Sequence, residues 1–354
     1  MKTPNKKKEK KSKKKTDTVK ETTAENDSKM KTCAAPAVAL VAPGGANEVE
    51  KWAMRALNKG INGLREEFLE LKRYVPANMA IGTFNANWDA GRNRYKDVPC
   101  QDKFRVVLKW PGSPTDYIHA NYVATPISDK RFICTQGPLD CTIVDFWHMV
   151  IQEESLCLIM LCNVKEKGMD KCAQYWPLEL NETQTYGDVQ VTNQAMRPLS
   201  EEETSVRISS LLLKWKENGK PQERVVNHYQ WMDWPDRGVP PTRLTAMVLL
   251  SAVRGTRKPI TVHCSAGIGR TGSIVAIEFI LERMMSGLPC EAMDEILKDL
   301  RNQRPYSIQT DLQYLYVHRI MLYYFIDKYG KGANNPEVVS KYKKFVEEYD
   351  KATS

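Results

Sequence analysis

A cysteine and an arginine stand six positions apart around two glycines in the run His263-Cys264-Ser265-Ala266-Gly267-Ile268-Gly269-Arg270-Thr271-Gly272. The residues before it, Pro259 to Val262, read as a buried β-branched strand, and those after it, Thr271 to Met285, as an apolar helix stopped by Gly287. A strand-to-helix turn aims backbone N–H groups at one spot and adds the positive end of the helix dipole, which makes an anion site. Gly267 and Gly269 permit the conformations and close approach such a loop needs. A thiol at the mouth of that site is expected to ionise at neutral pH, because helix N-termini and nearby cations pull a cysteine from about 8.5 to roughly 3.5–7.5. Arg270 offers a planar fork that matches two phosphate oxygens. A lone cysteine beside an arginine is ordinarily a structural thiol and a surface charge, but the complete ten-residue string implies a thiolate set against a phosphate ester. His263, ending a buried strand, serves equally as a core residue and as a group that orders the loop.

The elements that must hold this loop are legible as alternating short runs. Phe104–Leu108, Tyr117–Val123, Arg131–Thr135, Leu156–Leu161, Asp188–Thr192, Ser205–Leu213 and Glu223–Tyr229 read as strands, some buried on both faces and some on one. Helices are predicted over Thr142–Glu153, Arg243–Val253, Cys290–Asn302 and Thr310–Tyr329. One or two more begin at Glu48, where Val49, Trp52, Ala56, Ile61, Leu64, Phe68 and Leu71 recur at helical spacing. Asn335-Pro336 caps a final amphipathic helix carrying Val339, Tyr342, Phe345, Val346 and Tyr349.

Composition narrows the class. With 42% hydrophobic and 27% charged residues, the 354-residue chain is an ordinary globular mix. Residues 1–32 carry twelve lysines against five acidic residues, which is +7 of the +9 net charge, so the body lacks the basic field of a nucleic-acid binder. Residues 1–45 are expected to be a disordered Lys-rich tail. Its run Lys6 to Lys15 is either a solvated tail or a patch for an import receptor, an anionic lipid or an acidic partner. Nine cysteines without a C-x-x-C pair or a Cys/His cluster suggest reduced thiols and argue against a zinc site or a disulfide framework. No signal peptide or membrane span is read, so the expected location is the cytoplasm, with the nucleus as the other compartment.

Beyond the loop, the chain resembles the protein tyrosine phosphatase family, in its tyrosine-specific non-receptor branch, from about residue 46 to about 330. The strings that carry the resemblance, all in the family's order, are Asn93-Arg-Tyr95 with Lys96-Asp97, Asp116-Tyr-Ile-His-Ala-Asn121, Thr135-Gln-Gly-Pro138 with Asp145-Phe-Trp147, Lys167-Gly168, Lys171-Cys172, Gln174-Tyr-Trp-Pro177, Trp234-Pro-Asp236, the Cys264 loop, and Gln309-Thr310 with Gln313-Tyr314. The resemblance implies a single α/β domain: a highly twisted mixed β-sheet flanked by helices, with the phosphate-binding loop between a strand and a helix. It places the catalytic domain at 46–330 and leaves 331–354 as a C-terminal amphipathic helix or tail.

The chemistry of an aryl phosphate assigns roles that agree with the family. Such an ester needs a nucleophile, charge stabilisation on its equatorial oxygens and a proton for the departing tyrosyl oxygen. Cys264 would attack and form a phosphocysteine, while Arg270 and the amides of Ser265, Ala266, Gly267, Ile268 and Gly269 hold the oxygens. Asp236, on a segment that Trp234, Pro235 and Gly238 mark as a closing lid, is the family's general acid and base. By resemblance Gln309 positions the hydrolytic water with help from Gln313, and Thr271 offers its hydroxyl to the departing sulfur. Tyr95 would stack on the phosphotyrosine ring in a slot too deep for phosphoserine, and Asp97 would accept hydrogen bonds from the substrate backbone. Glu166 is expected to brace Arg270 and Lys171 to contact the lid, with plain solvated charges as the alternative. Two departures stand in scaffold strings, Arg92 for the usual lysine and His119 for the usual asparagine, and are expected to touch packing rather than chemistry.

Phosphotyrosine-containing proteins are thus the expected partners. A pseudophosphatase that captures phosphotyrosine without turnover is the alternative, disfavoured because cysteine, arginine and aspartate are all present. A phosphatase of phosphoserine or phosphoinositides is disfavoured by Tyr95 and by Ile268, where a lysine would suit polyanionic lipids. No metal or cofactor is expected, since Arg270 and the loop amides already supply positive charge.

Overall fold

Three short runs buried on both faces decide where the loop sits, and they are built into one sheet. The computed structural model describes residues 45–354, so the predicted Lys-rich tail lies outside the described residues except for Gly45. Helix α1 (Gly45–Leu71) buries Trp52, Leu64 and Phe68 and is broken at Gly60, where φ is 61° and ψ −175°. A short helix α2 (Gly82–Ala86) leads to β1 (Arg105–Val107), β2 (Tyr117–Thr125) and β3 (Ser128–Thr135). Then come α3 (Ile143–Gln152), β4 (Cys157–Met160) and a two-stranded hairpin of β5 (Lys165–Glu166) and β6 (Met169–Asp170). Strands β7 (Thr183–Tyr186), β8 (Val189–Pro198), β9 (Val206–Glu217) and β10 (Lys220–Trp231) follow. The chain continues through α4 (Thr245–Val253), β11 (Ile260–His263), α5 (Gly269–Met285), α6 (Met293–Gln303), α7 (Asp311–Leu322) with a π-helical extension to Lys328, and α8 (Pro336–Thr353).

The nine-stranded sheet has the order β1-β2-β3-β11-β4-β10-β9-β8-β7. Strand β11 lies between β3 and β4 and parallel to both, β4 runs parallel to β10, and the outer pairs are antiparallel. This is the mixed sheet that the resemblance implies. All four residues of β4 and of β11 are buried, as strands covered on both faces must be. The register pairs His263 with Thr135 on one side and Met160 on the other, so the carboxyl ends of three strands finish level. Open α/β sheets put ligands at that edge.

Behind the loop, α5 buries fifteen of its seventeen residues, including Arg270, Thr271 and Glu278, and so serves as the central helix rather than an amphipathic surface one. Helix α8 buries Val338, Tyr342, Phe345 and Tyr349 against the same core, its cap made by Asn335 accepting from the Glu337 N–H at 3.0 Å with Pro336 in the first turn.

Several elements differ from the sequence prediction. Strands β9 and β10 are each twelve residues long, joined by Asn218 and Gly219, whose φ values of 50° and 78° form the tight turn that favours such pairs. Strand β7 is an edge strand of polar residues (Thr-Gln-Thr-Tyr) whose exposure, not apolar alternation, marks it. The β5–β6 hairpin has only two residues per strand, turned by Lys167 and Gly168 at φ 49° and 77°, too short for any period to register. Among the described residues no helix is long and apolar enough to cross a membrane.

Candidate active site

Cys264 follows β11 directly and α5 begins at Gly269, so residues 264–268 are the predicted strand-to-helix loop. The Cys264 sulfur accepts the Gly267 N–H at 3.2 Å. Gly267 adopts φ +71°, and a Cβ there would lie 2.0 Å from the Thr135 carbonyl oxygen, so the position does not accommodate a side chain. The loop is tied on both sides: Gly137 N donates to the Ser265 carbonyl at 2.9 Å, and the Ser265 hydroxyl donates to the Lys171 carbonyl at 3.0 Å. The carbonyl of Ile268 accepts from Gly272 N at 3.0 Å and Ile308 N at 2.9 Å, which joins the loop to the segment leading into α7. The Ile268 side chain is itself buried.

A cavity of about 900 Å³ opens over this loop, lined by Tyr95, Asp97, Glu166, Lys171, Trp234, Asp236, Cys264, Ser265, Ala266, Gly269, Arg270, Gln309 and Gln313 among others. The structure therefore brings together residues from five separated stretches of sequence. The side chains of Ile268, Thr271 and His263 are buried behind its wall.

Arg270 is buried, and its guanidinium is held in plane by Glu166 through two bonds of 2.6 and 3.0 Å. It also donates to the Trp234 carbonyl at 2.8 Å and reaches Asp236 at 3.4 Å. Burial works against its charge, but the Glu166 bond and the neighbouring Cys264 outweigh that and hold the guanidinium protonated. Glu166 stands on β5, so the small hairpin exists where the brace for Arg270 is needed.

The Trp234–Gly238 segment sits docked on the site. Trp234 is buried between Trp231 and Tyr316, at ring distances of 4.9 and 5.1 Å, and its indole N–H closes the turn on the Gly238 carbonyl at 3.1 Å. Lys171, buried beside it, bonds Asp236 at 2.8 Å, and Thr310 donates to the Arg237 carbonyl at 3.2 Å. Burial would raise the Asp236 carboxyl, yet the hydrogen bond from Lys171 and the charges of Arg270, Lys171 and Arg237 together hold it below the usual carboxylate range. The same bond raises the Lys171 ammonium.

With the Ser265 proton committed to the Lys171 carbonyl, the Tyr95 hydroxyl donates to the Ser265 oxygen at 2.8 Å, so the aromatic on the rim is fastened to the loop itself. Its segment is anchored by Arg94, which donates to the carbonyls of Gly137 and Pro138 at 3.0 and 2.7 Å. Asp97 is exposed on the rim. Gln313 is committed to capping α7: its side-chain oxygen accepts from Gln309 N and Thr310 N, while Thr310 accepts from Gln313 N at 3.2 Å. That cap fixes where Gln309 enters the cavity. The Thr271 hydroxyl is buried with no hydrogen-bond partner.

Three contributors were given no role in the sequence, although Tyr175 and Gly137 stand in strings that carry the resemblance. Tyr175 bridges His228 and His263, at 2.7 Å each, in a chain buried throughout, and His263 in turn approaches the Cys264 carbonyl at 3.1 Å. Burial pushes His228 far down and keeps it neutral. Gly137 makes a backbone approach that a Cβ would block at 2.8 Å. Arg304, fully buried, donates to the carbonyls of Ala266 and Gly267, both at 3.0 Å. An arginine in the Arg-Pro turn before Gln309 was the one available signal. Among the described residues no group of His, Cys, Asp or Glu has the arrangement of a metal site.

Comparison with known proteins places this geometry. A family model described as Protein-tyrosine phosphatase matches residues 89–323, more than half of the chain. The Caenorhabditis elegans tyrosine-protein phosphatase Lar-like is 35% identical over 305 residues, covering 84% of this chain and 13% of its own length. Human tyrosine-protein phosphatase non-receptor type 9 is 35% identical over 301 residues, covering 78% of this chain and 49% of its own. The chain thus spans about half or less of the length of these curated relatives. The crystal structure of the catalytic domain of human protein tyrosine phosphatase non-receptor type 18 superposes with a TM-score of 0.68 at 26% identity, over 79% of this chain and 99% of that one. A structure of PTPN18 in complex with HER2-pY1196 phosphopeptides gives a TM-score of 0.69 at 28% identity, over 79% and 98%. With a family model matching more than half of its length and solved phosphatase catalytic domains sharing its fold, the chain belongs to the protein-tyrosine phosphatase family.

Proposed function

We propose that this chain hydrolyses phosphotyrosine in proteins through a phosphocysteine intermediate. The observation that carries the proposal is the Cys264 sulfur at the floor of a deep cavity, with Arg270 held flat by Glu166 on one side and Asp236 docked on the other. The Cys264 sulfur attacks phosphorus in line, forming an S–P bond as the P–O bond to the tyrosyl oxygen breaks. Arg270 and the loop amides take up the charge on the equatorial oxygens without reorganising, because both are already fixed. Asp236 gives its proton to the departing oxygen. A water oriented by Gln309 then attacks phosphorus, its proton passes to Asp236, and the S–P bond breaks. The Thr271 hydroxyl, buried and without a partner, is available to the sulfur as it leaves. Gln313 acts through its cap on α7, which sets the position of Gln309.

Asp236 is held ionised against its burial by Lys171 and Arg270, which stabilise its charge. A bound phosphoryl group brings negative charge between those cations and the carboxylate, which restores the proton that the first step needs. Tyr95 sets the depth of the slot, so that a phosphorylated aromatic ring reaches the sulfur and a shorter side chain does not. The PTPN18 structure with phosphotyrosine peptides supports this substrate class. The non-receptor relatives support action inside the cell, and the Lys-rich residues 1–32 are then a candidate contact for an import receptor, an anionic lipid or an acidic partner.

The test is phosphate release from a phosphotyrosine peptide and its phosphoserine twin, in EDTA and reductant. Release from the first alone, lost in Cys264→Ser, is expected. A folded wild type that binds the peptide without turnover would instead make it a capture module.

A further inference from the structure

The amides of a phosphate loop face the ligand only if the carbonyls of the same peptide units face away, since C=O and N–H point in opposite directions across a planar trans peptide. In this chain the carbonyls of Ala266 and Gly267 are both turned onto one guanidinium, that of Arg304, at 3.0 Å each. The N–H groups sharing those peptides belong to Gly267 and Ile268, and the Gly267 N–H indeed points at the Cys264 sulfur, 3.2 Å away. The orientation of Arg304 therefore sets the orientation of two loop amides.

None of the hydrogen-bond partners of Arg304 is a carboxylate. Its remaining donors go to the Asn121 side-chain oxygen at 3.0 Å and to Nδ1 of His119, which both terminal nitrogens approach at 3.3 Å. A guanidinium has only donors, so His119 Nδ1 must be the acceptor and its proton must sit on Nε2. Nε2 lies 2.8 Å from the Val98 carbonyl and donates to it. Val98 is one residue past Asp97 and three past Tyr95, on the segment that rims the cavity. The histidine that departs from the family's asparagine thus spans the rim segment and the arginine behind the loop.

We propose that His119 is a positioning residue: through Arg304 it aims the phosphate-loop amides, and through Val98 it ties that aim to the phosphotyrosine-recognition segment. Protonation would place a second N–H against the guanidinium, and burial together with Arg304 pushes the imidazole down to about 3, so the ring remains neutral wherever the enzyme works. The proposal rests on the phosphatase reading for its consequence in turnover, but not for its consequence in anion binding.

The experiment uses the full chain as wild type, His119→Asn and His119→Leu. It measures kcat and KM on a phosphotyrosine peptide, inhibition by inorganic phosphate, and the pH midpoint for alkylation of Cys264 by iodoacetate. His119→Leu is expected to lower kcat/KM about 10- to 100-fold, the scale of an ångström's misplacement. It should also weaken phosphate inhibition and raise the alkylation midpoint. His119→Asn, which can still accept from Arg304, is expected to recover all three to within about threefold of wild type. In the wild type, whose folding is not in question, the His119 Nε2 proton resonance is expected to shift when inorganic phosphate fills the loop. Phosphate affinity and alkylation midpoint unchanged in a folded His119→Leu, or no shift of that resonance, would overturn the proposal. A wild type that binds phosphate with these signatures yet fails to turn over the peptide would count against the phosphatase reading and leave the His119 assignment supported.

Discussion

Replacing Gly267 by alanine separates the loop's geometry from its general tolerance of strain. The new Cβ would lie 2.0 Å from the Thr135 carbonyl oxygen, 2.4 Å from its carbon and 2.9 Å from Gln136 N, where real Cβ atoms essentially never come within 3.0 Å. Every one of those atoms is backbone at the end of β3, which β11 holds in register, so the loop and strand must part by about 1 Å. Gly287 is the control: its φ of +67° matches the +71° of Gly267, but nothing lies within 4 Å of its Cβ position. Both alanines carry the left-handed cost of about 1–2 kcal/mol. Only Gly267→Ala adds the overpacking cost of about 1–3 kcal/mol and the loss of about 100-fold in rate that follows a misplacement on this scale. Steady-state kcat/KM on a phosphotyrosine peptide, with urea midpoints for both variants, gives the answer. Gly287→Ala is expected to keep wild-type activity. A Gly267→Ala protein within tenfold of wild type, and no less stable than Gly287→Ala, would refute the packing argument.

Glu166→Gln removes a charged partner from two hydrogen bonds to Arg270; with charge-assisted bonds worth about 1.5–3 kcal/mol, kcat/KM is expected to fall about 10- to 100-fold, and a loss below about threefold would mean Arg270 is positioned by the Trp234 carbonyl alone. Because Asp236 is ionised in the free protein, the proton for the leaving group must arrive with the monoanion of the substrate, whose second pKa is about 6. Wild-type kcat/KM should therefore drop about tenfold per unit above that pH, whereas Asp236→Asn, tested on an aryl phosphate with a weakly basic leaving group, should show no such limb; an identical limb in both would place the titration elsewhere. Folding keeps His119 and His318 neutral, with burial lowering them from 6.5 to about 3 and about 4. As pH falls below 6.5 the unfolded chain binds protons that the folded chain refuses, so stability present above 6.5 is lost on the way down, by about 1.4 kcal/mol per ring at pH 5.5. Glu282, raised by burial to about 7, acts in the opposite direction. His119→Asn should lose about 1.4 kcal/mol less than wild type between pH 7.5 and 5.5 by urea unfolding, and equal losses would contradict the buried neutral ring.

The phosphate loop was readable because its determinants are contiguous: a buried strand, two glycines, an arginine and an apolar helix in under thirty residues. What surrounds it was readable only through resemblance, because Glu166 and Arg270 are 104 positions apart and nothing local to either announces the pair. The hairpin that carries Glu166 has two-residue strands, below the length at which alternation can register. The π-helical extension of α7 at Tyr323–Lys328 likewise continues a helical pattern with no break in sequence to mark it. Arg304 was assigned no role from the sequence, since two of its partners are backbone carbonyls, which leave no trace in residue type, and His119 and Asn121 lie more than 180 positions away. His119 was read as a matter of packing, and the structure places it one hydrogen bond from the arginine that orients the loop.

A phosphoryl group on the Cys264 sulfur is the direct signature of this chemistry. Wild-type protein mixed with a phosphotyrosine peptide and quenched in acid within the first turnover, then digested and weighed, is expected to carry one phosphoryl group on the peptide containing Cys264. That label should persist longer in Gln309→Ala and be absent in Cys264→Ser. Phosphate released at the wild-type rate with no phosphorylated cysteine at any quench time would contradict the covalent mechanism and, with it, the role of the loop as the cradle of a cysteine nucleophile.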